Sequence, residues 1–211
     1  MAALTAAAML FFVSFALMGS EGLAQLRLWR MDPSGHMLTY PAALLVTALL
    51  SLPAGAAVLL MGRAAYRGEM TPAVSCLAPF PAFTGLVWLF ATHLEHGTEP
   101  VLMRYGFSLA AAALLMLAHY YVAGYLFGRP HVRRALFCSL AGAALGLISL
   151  ADRPGLAVGC LTLAFVLSAL TFSYALLHNA FGPPWPGRMP SGAQDEDDED
   201  PDNDQHFTEE F

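Results

Sequence analysis

Three groups of residues in this chain have types and spacings that could do chemistry. In "HLEHGTE", residues 93–99, His93, His96 and Glu99 stand three apart. On a continuing helix they would share a face, and two imidazoles with a carboxylate suit zinc or another transition metal. Gly97 and Pro100 argue that the helix ends there, so a solvated interfacial role is the expectation and no cofactor is implied. The C-terminal stretch holds Asp198, Asp200, Asp202, Asp204 and Glu209 at the 1, 3, 5, 7 and 12 spacing of a calcium loop. Asn203 stands where that loop needs glycine, and dense acidic runs produce the spacing by chance.

The third group centres on His119, inside the apolar run "LLMLAHYYVAGYLFGRP", residues 114–130. At 100° per residue Ser108, Ala112 and Ala123 share its helix face, while Phe107, Leu114, Leu117 and Tyr121 lie opposite. That segregation turns the imidazole toward other helices. Ser168, Thr171 and His178 form a polar stripe on a later apolar segment, and counting residues from the segment end puts Thr171 near the depth of His119. Two roles follow: a neutral ring hydrogen-bonded between helices, or a protonatable station on a solute path. The first is expected, because no carboxylate or arginine occurs at that depth.

The elements that position these side chains are read from composition. Hydrophobic residues make up 57% of the chain and charged residues 12%, against roughly 25% charged in soluble domains. Six apolar segments, at 2–19, 41–61, 73–93, 106–127, 134–151 and 156–180, each approach the ~20 residues that cross a hydrocarbon core. The expected fold is all-α: a polytopic membrane protein with a six-transmembrane-helix bundle over 1–181. A Pro-rich linker and an acidic, disordered tail follow over 182–211. The first segment could be a signal peptide, but it lacks preceding basic residues and a good cleavage site, so it is expected to be retained. Pro53 should kink the second helix, and Pro79 and Pro81 the third. Gly124 with Gly128, and Gly142 with Gly146, are small-residue pairs that let helices approach closely.

Charge separates body from tail. Ten of the sixteen acids lie between Asp195 and Glu210, which leaves a body richer in arginine than in carboxylates. The arginines sit in scattered short loops, which excludes a nucleic-acid-binding stripe. With six spans, Arg63, Arg67, Arg129, Arg133, Arg134 and Arg188 share the side of both termini, against Arg27, Arg30, Arg104 and Arg153 opposite. That asymmetry places both termini in the cytoplasm. Cys76, Cys138 and Cys160 read as apolar thiols within or beside the spans.

The stretch "EPVLMRYGFSLAAAALLMLAHYYVAGYLFGRP", followed by "RRALF", resembles small multi-pass bacterial membrane proteins without an assigned activity, which implies a bacterial inner-membrane location. Ala2, Ala3, Ala6 and Ala7 give a fainter likeness to the substrate-binding membrane subunits of vitamin and metal importers. Neither likeness brings functional residues. Hydrolase, zinc-protease and phosphate-loop signatures do not occur. The expectation is a non-enzymatic membrane component acting through helix or tail contacts, with the bilayer and a second copy or another membrane protein as partners. The alternative is a small-solute permease or permease subunit.

Overall fold

Proline breaks one of the expected spans and leaves another intact. In the computed structural model, which describes residues 1–33, 38–67, 71–96, 102–127 and 131–181, seven helices account for nearly all of those residues. They are α1 (Ala2–Met31), α2 (Thr39–Arg67), α3 (Pro72–Leu77), α4 (Phe80–His96), α5 (Leu102–Leu126), α6 (Val132–Ala151) and α7 (Leu156–Phe181). The third span is divided at Ala78 and Pro79, where Pro79 and Pro81 withhold the amide protons that a continuous helix would use. Pro53, expected to kink the second helix, lies inside α2, which runs through it as one helix. Pro53 has no N–H to offer the carbonyl one turn earlier. Thr84 of α4, fully buried, donates its hydroxyl to the adjacent Leu50 carbonyl at 3.0 Å and shares it with the Phe80 carbonyl at 2.9 Å. A hydroxyl from a neighbouring helix thus supports the backbone around the proline.

Among the described residues six stretches are long and apolar enough to cross a membrane, with α3 and α4 together forming the third, Pro72–Glu95. The first helix continues well past the expected end at residue 19, through Glu21, Arg27 and Arg30 to Met31. Charge ends an apolar span but not a helix, and "EGLAQLRLWR" consists mostly of good helix formers.

The spanning stretches form a closed ring. Each packs on its neighbours in chain order, α1 on α2, α2 on α4, α4 on α5, α5 on α6 and α6 on α7, and α1 on α7 completes the circuit. Additional contacts of α7 with α5 and α2 carry it toward the middle. Close approach rests on glycine at several seams. A Cβ at Gly55 would lie 3.2 Å from the Ala8 carbonyl oxygen, and one at Gly85 would lie 3.2 Å from the Met116 Cα. Gly142 and Gly146 are likewise occupied within the ring, the first against Leu114 and Leu115 of α5 and the second against Val166 of α7. The pair read from sequence as a packing signal therefore serves intramolecular contact. Of the pair Gly124 and Gly128, the second lies outside the described residues.

Candidate functional site

Phe165 of α7 occupies the middle of the ring and touches an aromatic side chain from each of three other helices. Its ring stacks on Trp88 of α4 at 5.4 Å between centroids, meets the edge or face of Phe11 of α1 at 5.1 Å, and lies perpendicular to His119 of α5 at 5.0 Å. Phe172, seven residues along α7 and so on the same face, also lies perpendicular to His119, at 6.2 Å between centroids. Trp88, Phe11 and Phe165 are buried almost completely. Trp88 Nε1 has no hydrogen-bond partner among the described residues.

His119 is 2% exposed, and Ala112 and Ala123 on its face are buried with it while Phe107 is half exposed. The face assignment made from sequence therefore holds at these positions. Its Nδ1 lies 2.8 Å from the Leu115 carbonyl oxygen, which can only accept, so Nδ1 carries the proton. In the neutral ring Nε2 is then an acceptor. Ser168, fully buried on α7, places its Oγ 2.8 Å away and donates to it. The same Oγ is 2.8 Å from the Ala164 carbonyl and 3.0 Å from that of Phe165. One hydroxyl proton cannot serve three acceptors at full strength, and the carbonyls already belong to the α7 ladder, whereas Nε2 has no other donor among the described contacts.

The partner anticipated from residue counting, Thr171, is not the one that meets His119. Its hydroxyl turns back to the Leu167 carbonyl at 2.7 Å, and the side chain is only partly buried. His178 is also only partly buried and stacks on exposed Tyr174. The buried face of α7 runs through Leu161, Phe165, Ser168 and Phe172, and Thr171 falls to its side.

A hydroxyl donating to an imidazole at this distance is the arrangement of a nucleophile and its general base. The surroundings do not provide the rest of that chemistry. Both groups are sealed beneath phenylalanine rings, they sit in helix interiors whose amides are committed to the helix, and acyl transfer needs free donors at a developing oxyanion. The geometry instead satisfies a buried imidazole. We expect His119→Leu and Ser168→Ala each to cost about 1 kcal/mol of stability in detergent, with the double variant costing less than the sum by about 0.6–1.7 kcal/mol. Thr171→Val combined with His119→Leu should be additive, and a non-additive result would reassign the partner.

Toward the end of the bundle that holds the α2, α5 and α7 C-termini, a cavity of about 300 Å³ opens between these helices. Met61, Ala64, Val122, Tyr125 and Asn179 line it, and Phe172 forms the wall nearest His119. The Tyr125 hydroxyl is buried without a partner among the described residues. At the opposite end His93 is exposed on the last turn of α4, while the His96 side chain and Glu99 lie outside the described residues. The Tyr40 hydroxyl of α2 donates to Glu95 beside them, a contact between helix ends. Among the described residues no three of His, Cys, Asp or Glu gather as a metal site. The acidic positions Asp198 to Glu209 lie outside the described residues. Sequence reasoning passed over Phe11, Trp88 and Phe165. The seven-residue spacing of Phe165 and Phe172, on the face that also carries Ser168, was the available signal.

Compared with known proteins, the chain matches no family model, no curated protein and no solved structure.

Proposed function

We propose that the protein is a multi-pass membrane component that works through contacts its helices make within the bilayer, and that it does not conduct a solute along its axis. The aromatic plug carries this reading: Phe11, Trp88, Phe165 and His119 fill the middle of the ring, where a conduit would have to pass. The bilayer location draws on six apolar spans and on the large apolar side chains exposed around the ring, such as Val46, Phe90, Phe137 and Leu147. A photo-crosslinking residue placed singly at these four positions in native membranes should give a protein adduct of fixed mass from one or two faces. Absence of adducts from all four would count against it.

The rival permease reading draws on the cavity that reaches Phe172 beside His119. It requires wild-type flux of protons or small solutes in proteoliposomes that His119→Leu abolishes without unfolding the bundle.

In orientation, both termini are proposed to be cytoplasmic. The described arginines divide evenly, Arg63, Arg67, Arg133 and Arg134 at the end with the α1 N-terminus and Arg27, Arg30, Arg104 and Arg153 opposite, so the proposal draws on the sequence, where Arg129 and Arg188 add to the first set. A cysteine at Asp152 should react with an impermeant thiol reagent on intact cells, and one at Thr71 only after lysis. The reverse pattern would invert the protein.

A further inference from the structure

We propose that the groove between α4 and α5, closed at one end by the start of α6, holds an acyl chain of an anionic phospholipid with its headgroup on Arg134 and His131. The groove has a volume of about 880 Å³. Phe83, Met116, Tyr120 and Phe127 give it apolar walls, and His131 and Arg134 stand at its mouth. It exists because the proline break at Pro79 displaces the first part of the third span: short α3 packs on α2, and the neighbouring face of α5 stays uncovered, with Tyr120 and Phe127 more than half exposed.

Length and charge select the occupant. From Phe127 to Met116 the α5 wall extends about 16 Å, close to half of a hydrocarbon core of about 30 Å, the depth of one leaflet and so of one acyl chain. Tyr121 meets His131 edge to face at 6.1 Å, which braces the imidazole at the mouth. Arg134 is exposed there, and among the described residues this end of the bundle presents arginines without a carboxylate. An apolar slot with the exposed Arg134 guanidinium at its mouth fits a lipid with a phosphate and no compensating ammonium group. Basic pockets between spanning helices on the cytoplasmic side bind such headgroups.

The inference rests on the bilayer location proposed above. Its test is lipid binding to delipidated, full-length protein in detergent, followed by native mass spectrometry with phosphatidylglycerol or phosphatidylcholine of identical acyl chains. Wild type should prefer phosphatidylglycerol by about five-fold or more, and Arg134→Gln should reduce that preference about five-fold while leaving phosphatidylcholine binding unchanged. Arg133→Gln, which removes the same charge from an exposed side chain outside the groove, should keep the preference. Ala82→Phe, which fills the groove wall, should weaken both lipids. Equal binding of the two lipids by wild type, or equal losses in the two arginine variants, would overturn the groove assignment. A protein released from membranes by alkaline carbonate would overturn the bilayer location instead.

Discussion

Phe165→Ala is expected to cost the bundle about 3 kcal/mol, the low end for truncating a buried aromatic. In a soluble protein part of that cost is the return of apolar surface to water. In a bilayer the unfolded helices remain in apolar surroundings, so what is lost is mainly dispersion contact and the energy of an unfilled cavity. Phe165 loses more than an ordinary core residue because its ring supports Phe11, Trp88 and His119 from three separate helices. Phe165→Leu keeps most of the volume and should cost less than about 1.5 kcal/mol. Detergent or urea unfolding measures both, and Trp88, stacked on Phe165, should report the alanine change in its emission. A loss under 1 kcal/mol for Phe165→Ala would mean that the helix seams hold the ring together without its central plug.

Six apolar spans were legible in the sequence because the signal is compositional and accumulates over some twenty residues each. Helix ends were less legible. The apolar run near residue 19 stops where polar residues begin, but backbone hydrogen bonding continues through Glu21 and Arg27 to Met31. For the same reason residue counting points to Thr171, one turn from the Ser168 that meets His119. Counting depth from the end of the last apolar segment assumes that α5 and α7 end level and run parallel. Ser168 and Thr171 are about 4.5 Å apart along a helix axis, so a small tilt or offset exchanges them. The face of His119 was recoverable, since small residues beside it contrast with large ones opposite. The aromatic centre was not singled out, because Phe165 lies in a helix that is apolar nearly all round and its burial produces no contrast in pattern. Trp88 is similarly a lone tryptophan in an oily run until the fold brings Phe165 against it.

Gly142→Val should be nearly as damaging as the loss of Phe165, for the opposite reason. A Cβ at Gly142 would lie 3.0 Å from the Leu115 backbone nitrogen and 3.1 Å from the Leu114 Cβ, so α6 cannot accept even one extra carbon unless α5 moves. Backbone cannot rotate away as a side-chain end can. Overpacking of this kind costs about 1–3 kcal/mol, and the branched valine should fall at the upper limit. Leu115 also supplies the carbonyl that holds His119 Nδ1, so displacement of α5 should loosen the His119–Ser168 contact. Gly142→Val combined with His119→Leu should therefore cost less than the sum of the two. Gly106, on the same helix as Leu115, is the control. Nothing lies within 4 Å of its added Cβ, and Gly106→Ala should leave stability unchanged or raise it by about 0.5–1 kcal/mol through helix propensity. Unfolding in detergent separates these outcomes. A tolerated Gly142→Val would mean that α5 and α6 are not in close backbone contact, and the support of His119 through Leu115 would lose its basis.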